Sequence, residues 1–237
     1  VSQAKTPKKG RPQPKSNPLG ALISALIVVA IFVALGFMLA NNRQSEPETA
    51  LEPTPEVPQG VPTPAEIKQY ASAPPMLIDT SKNYKAVITT PRGDIVIQLR
   101  PDLAPQTVNS FVFLARDGFY NGLTWHRVLE DFMAQGGDPE GTGMGGPGYT
   151  IPAEFTDLVS FDRPGIVAMA RPGNDINGNG SQFFITTAPA QFLDGQYTIF
   201  GEVIEGQDIV NGIPLRDPDL NPTTPGEQML SVTIIEE

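Results

Sequence analysis

The sequence predicts a mainly β domain, an antiparallel barrel or sandwich, behind an N-terminal region of very different composition. Three observations carry that expectation. About eight short runs rich in β-branched, aromatic and aliphatic residues recur between residues 84 and 235. The turns between them are dense in Gly and Pro, and only two segments have helical spacing. No alternating strand–helix rhythm of the kind that builds a parallel sheet runs through them.

Taken in order, Tyr84–Thr90 (YKAVITT) and Asp94–Leu99 (DIVIQL) flank Pro91-Arg92-Gly93 and predict a hairpin. Pro105 opens a helix, where its missing N–H leaves no intrahelical bond unmade. Val108, Phe111, Val112 and Ala115 then follow i, i+3, i+4, i+7 spacing, and Gly118 ends the helix. Further strands are predicted at Leu123–Leu129, Phe132–Gln135, Ile166–Ala170, Gln182–Thr187, Tyr197–Val203 and Leu230–Ile235, with a short second helix over Gln207–Gly212. This folded domain is assigned to residues 77–237.

Ahead of it the composition changes. Residues 19–40 (LGALISALIVVAIFVALGFMLA) carry no charge. As a helix they would run ~33 Å, enough to cross a ~30 Å hydrocarbon core. A cleaved signal is the rival reading, but its apolar region is shorter, ~7–15 residues, and ends in an A-x-A-like site that Met38-Leu39-Ala40 matches poorly. The expectation is a retained transmembrane helix. Lys5, Lys8, Lys9, Arg11 and Lys15 precede it and only Arg43 follows closely, which predicts a cytoplasmic N-terminus and an extracytoplasmic domain. Residues 1–18 read as a basic disordered tail. Residues 41–76 read as a stiff linker, with eight prolines and five glutamates within 44–76 and a short helical patch near 65–71.

Composition also removes function classes. The chain has no Cys and a single His, His126, which excludes disulfides, thiolate chemistry and Cys- or His-rich metal sites. No cofactor or metal is expected. Residues 44–237 hold 10 basic against 26 acidic side chains, a net of −16, so nucleic acid is not an expected partner.

One arginine, Arg127, lies among apolar and amide side chains with no nucleophile and no acid/base pair beside it. In a continuous strand Leu123, Trp125 and Arg127 share one face. A hairpin brings Phe132, Met133 and Gln135 close, with Gln135 placed to hydrogen-bond the guanidinium and Phe132 and Met133 lining a small apolar pocket. His126 falls on the opposite face and reads as structural. Gly141-Thr142-Gly143-Met144-Gly145-Gly146 satisfies G-x-G-x-x-G, but Pro147-Gly148 follows instead of a helix, so a surface loop beside the pocket is expected rather than a dinucleotide site. Asn179-Gly180-Ser181 reads as an accidental glycosylation sequon, and Ser181 lacks a nucleophile elbow. Such a site can hold and polarise a substrate but is poorly equipped to break a bond.

Five linked blocks carry a family resemblance over about residues 84–237. They are Trp125-His126-Arg127-Val128, the run 131–138 (DFMAQGGD), Gly180-Ser181-Gln182-Phe183-Phe184, Phe192-Leu193-Asp194-Gly195 and Phe200-Gly201. In order and spacing they resemble the cyclophilin peptidyl-prolyl isomerases. The resemblance implies an eight-stranded antiparallel barrel capped by two helices, and rotation of Xaa-Pro bonds in polypeptide clients. It implies that Arg127 is catalytic, that Phe132, Met133, Phe184 and Leu193 form the proline pocket, and that Gln135 positions the arginine. Ala170, Arg171 and Gln182 fall where the family binds the peptide backbone and the residues before proline. The sequence departs from the family at Phe192, a tryptophan in eukaryotic members that bind cyclosporin tightly, and at Tyr197, a pocket histidine in many members. The run 171–179 (RPGNDINGN) is longer than the eukaryotic pattern. The competing reading is a module that grips proline-containing segments, or a subunit of a membrane protein complex, with incidental turnover.

Overall fold

The computed structural model describes residues 67–237. The expected span at 19–40, the basic tail and most of the linker lie outside the described residues. Among the described residues, no helix is long and apolar enough to cross a membrane. Residues 67–71 are not helical, unlike the patch expected there.

The strands are β1 (Tyr84–Thr90), β2 (Gly93–Leu99), β3 (Arg127–Leu129), β4 (Met133–Gly136), β5 (Ile166–Met169), β6 (Phe183–Thr186), β7 (Ile199–Glu205) and β8 (Ser231–Glu236). Helix α1 is Pro105–Arg116 and α2 is Gln207–Asn211. All eight strands form one antiparallel sheet in the order β3-β4-β6-β5-β7-β2-β1-β8. The sheet is curled rather than closed, because β3 and β8 do not pair. Chain from the 216–229 region fills the gap, through the backbone pairs Val128–Arg216 and Thr124–Gln228.

That gap accounts for the main departure from the expected elements. The strand predicted at Leu123–Leu129 is regular only from Arg127. Upstream, Trp125 N–H donates to Glu227 O (2.8 Å) and Met229 N–H donates to Leu123 O (2.8 Å), so residues 123–126 follow the C-terminal segment instead of a ladder. Alternation is lost there. Trp125 is fully buried, while Arg127 is half-buried on the other side of the sheet.

Along the remaining strands period-two alternation sorts side chains between two hydrophobic clusters. The interior receives Val128, Ala134, Phe183, Ile185, Val167, Met169 and Phe200 from β3 to β7, together with Phe111 and Leu114 of α1. The outer face receives Met133, Phe184, Ile166, Ala168 and Ile199, joined by Phe161, Ala190 and Leu193 from the long connections. Strands β5 and β6 are therefore buried along both faces. Helix α1 has no capping side chain of its own. Glu154, 47 residues downstream, supplies one, accepting from Gln106 N, Thr107 N and Thr107 Oγ1 at 3.1, 2.8 and 2.7 Å. A carboxylate there satisfies orphan donors and complements the helix dipole.

Candidate active site

The outer cluster ends at a row of side chains that crosses four strands. Arg127 pairs in register with Gln135, Gln135 with Phe184, and Phe184 with Ala168. Neighbouring strands lie ~4.8 Å apart, so the row brings an arginine of β3 within reach of a phenylalanine two strands away. Beside it lies a cavity of about 140 Å³, lined by Arg127, Phe132, Met133, Gln135, Ala170, Arg171, Phe184, Leu193 and Tyr197. An apolar hole of ~150 Å³ admits a benzene ring. A five-membered ring is smaller.

The walls are held from behind. Phe161 stacks on Phe184 with centroids 5.9 Å apart, and Tyr197 meets the same ring edge-on at 5.7 Å. Leu193 sits in a 3-10 turn, Gln191–Leu193. Asp194 ties that turn down by accepting from Ser160 Oγ (2.7 Å) and Phe161 N (2.8 Å). Nothing local in the sequence marked Phe161 or Asp194 as site supports, since each acts on a partner more than 20 residues away.

Two arginines border the cavity in different states. Arg171 is occupied: its Nε and Nη2 donate to Gln196 O at 3.1 and 3.0 Å, its Nη1 donates to Pro172 O, and its guanidinium lies 4.8 Å from the Tyr197 ring centroid. Arg127 makes no ion pair and no side-chain hydrogen bond among the described residues. The structural ion pair that would explain an ordinary half-buried arginine is missing there.

Gln135 departs from expectation. Its amide does not bond the guanidinium, and Nε2 donates instead to Gln182 Oε1 at 2.9 Å. Gln182 Nε2 donates in turn to Gly143 O (3.0 Å) and Gly145 O (2.9 Å), fastening the glycine-rich loop. Gln182 therefore lines a second, larger groove of about 640 Å³ that adjoins the first and shares Gln135, Ala170 and Arg171 with it. Phe192 stands outside the cavity lining, two-thirds exposed, with its ring 5.5 Å from that of Phe132 at the rim. The glycine-rich stretch is a loop with no helix after it.

The remaining candidates are structural. Ser181 is buried and its Oγ donates to Gly137 O at 2.7 Å. Gly137 has φ +83°, and a Cβ there would lie 2.4 Å from Ser181 O. Asn179 is buried, which hides the sequon from a glycan. His126 is buried with no partner on either ring nitrogen among the described residues. Desolvation holds its pKa below the ordinary 6.5, with Arg127 and Arg216 reinforcing and Asp138 opposing. Among the described residues no group of His, Cys, Asp and Glu could hold a metal ion.

A cavity sized for a small ring, bordered by a guanidinium unpaired among the described residues, suits a reaction in which no bond changes partner. A peptide bond resists rotation by ~18–20 kcal/mol because twisting breaks conjugation. Uncatalysed exchange before proline takes ~10–100 s at 25 °C. In the twisted state the nitrogen becomes pyramidal and its lone pair localises, so a cation aimed at it binds that state better than either planar one. An arginine stays charged and needs to lose no proton.

Comparison with known proteins agrees with this chemistry. The profile of the cyclophilin type peptidyl-prolyl cis-trans isomerase/CLD family matches residues 85–234. Over 146 residues the chain is 46% identical to mouse peptidyl-prolyl cis-trans isomerase-like 1, covering 60% of this chain and 85% of that protein. It is 42% identical over 153 residues to a peptidyl-prolyl cis-trans isomerase of Synechococcus elongatus, covering 65% and 97%. A Cryptosporidium parvum cyclophilin type isomerase, crystallised in the presence of the dipeptide Ala-Pro, superposes with a TM-score of 0.58 at 32% identity, covering 65% of this chain and 99% of that one. The chain belongs to the cyclophilin-type peptidyl-prolyl cis-trans isomerases and carries their activity, rotation of the Xaa-Pro bond.

Proposed function

We propose that Arg127 drives the isomerisation and that the cavity beside it seats the proline ring. The observation that carries this reading is the Arg127 guanidinium, a charge without a carboxylate partner among the described residues, at the edge of a hole otherwise walled mainly by apolar and aromatic side chains. Phe132, Met133, Phe184 and Leu193 hold the ring still while the preceding carbonyl swings. Tyr197 and Phe192 complete the rim. Gln135, Ala170, Arg171 and Gln182 contact the backbone and residues preceding proline. The Ala-Pro dipeptide used with the Cryptosporidium relative supports a substrate of this class.

Residues 19–40 anchor the chain, the linker up to residue 66 spaces the domain from the bilayer, residues 68–70 already bond to the domain, and that domain acts outside the cytoplasm on proline-containing segments of emerging or membrane-bound clients. Support comes from the uncharged 22-residue run and from the excess of positive charge before it. In intact cells, added protease should digest the domain. Protection until the membrane is lysed would overturn the topology.

The site is tested by assaying an Xaa-Pro peptide with the full chain and its Arg127→Ala variant. Removing a preorganised charge-stabilising donor from an active site costs ~10²–10³-fold in turnover, and a loss of that order in kcat is expected. A variant that melts like the wild type yet turns over normally would remove Arg127 from the mechanism.

A further inference from the structure

Residues Lys68–Tyr70 lie against the domain at the far side of the second groove. Tyr70 N–H donates to Pro147 O at 2.8 Å, and Gln69 Nε2 donates to Gly146 O at 2.9 Å. Gly148, with φ +93°, lets the backbones meet, since a Cβ there would lie 2.6 Å from Tyr70 O. The other end is fastened to the C-terminal end of α1. The Tyr70 hydroxyl donates to Asp117 Oδ2 at 2.7 Å, and Lys68 Nζ lies 2.9 Å from the same oxygen and also donates to Asp117 O. The Tyr70 ring packs on Phe113, Phe119 and Tyr149 at centroid distances of 5.1, 6.2 and 6.3 Å.

Between this strap and Gln182 runs the glycine-rich loop, which packs few side chains of its own. Nothing surrounds a Cβ built at Gly143 or Gly146, and Met144 is almost wholly exposed. Hydrogen bonds fix the loop from two sides. Gln182 and the Asp138 carboxylate, which accepts from Gly143 N, hold it next to the cavity, and the strap holds it on the outside. The loop is the wall of the second groove.

We propose that the Lys68–Tyr70 strap determines substrate specificity: it holds the glycine-rich loop in the shape that receives the polypeptide residues flanking the proline. The proposal rests on the proline being seated beside Arg127. Tyr70 and Lys68 are positioning residues that line neither cavity. Without the strap the loop samples other shapes, and apparent affinity falls by the fraction of time it is competent. The exposed Lys68–Asp117 ion pair contributes little, and the Tyr70 ring and backbone N–H carry most of the effect.

The test compares two peptides on the full chain, one with a single residue before proline and one extended by three more residues on that side. Tyr70→Ala should raise KM for the extended peptide about fivefold to tenfold, as expected if the loop is competent for roughly a tenth of the time. Its kcat, and both constants for the short peptide, should not change. Tyr70→Phe keeps the ring and the N–H and should restore the wild-type KM. Asp117→Ala, which removes the carboxylate that holds Tyr70 and Lys68 and lines neither cavity, should move KM for the extended peptide the same way by less, and it decides the matter if Tyr70→Ala melts early. An unchanged KM ratio between the peptides, or equal losses on both, would overturn the strap's role. Arg127→Ala separates the two ideas, because it lowers kcat on both peptides whatever the strap does.

Discussion

Phe183 and Phe184 are consecutive residues of one strand, and they meet different surroundings. Phe183 points inward and touches Phe111, Tyr120 and Trp125 edge-to-face, with centroids 5.6 to 5.7 Å apart. Phe184 points outward, backed by Phe161 and Tyr197 on one side and open to the cavity on the other. The same alternation divides Ala134 from Met133 and Val167 from Ala168. The inner cluster closes on itself and the outer one stops at a charge. One sheet thus carries a face committed to the core and a face that borders the cavity, and period-two alternation keeps them apart.

The largest expected effect tests the inner face. Phe183→Ala removes a fully buried ring and should cost ~3–5 kcal/mol of unfolding free energy, read by denaturant titration. Phe184→Ala should cost less, under ~3 kcal/mol, because part of its surroundings is already open. It should also raise KM for a proline peptide by about tenfold, equivalent to ~1.4 kcal/mol of lost binding. Equal stability losses from the two would erase the distinction between the faces.

The smallest effect sharpens it through His126, next to Arg127 in sequence but buried. The folded protein binds the His126 proton less well than the unfolded chain does. The stability of the neutral form is therefore present above pH 6.5 and is lost as pH falls through the lower folded-state value. Melting temperature should drop as pH falls below 6.5 in the wild type, and His126→Phe should flatten that slope. Parallel slopes would show that another group controls acid stability.

Legibility in the sequence followed locality. The β1–β2 hairpin and the Pro105 helix were readable because a tight turn and an i, i+3, i+4 repeat each depend on neighbours within a few residues. The row Arg127–Gln135 was readable for the same reason, as a short hairpin. Gln135 turning to Gln182 was not, because its partner lies 47 residues away. The shortened β3 was not either, because residues 123–126 are held by the 227–229 segment some hundred residues later.

By itself the sequence determined the mainly β class, the spacing of the strands and the nearness of Phe132, Met133 and Gln135 to Arg127, all consequences of side-chain period and turn chemistry, while Phe184, Leu193 and Tyr197 entered through the family resemblance. Only the tertiary structure decided that the sheet stays open between β3 and β8, that Glu154 caps α1, and that among the described residues Arg171 is held by hydrogen bonds while the Arg127 side chain makes none. Those outcomes depend on which distant polar groups meet once the sheet curls. Hydrogen-bond partners of that kind are set by position in space and leave no local pattern along the chain.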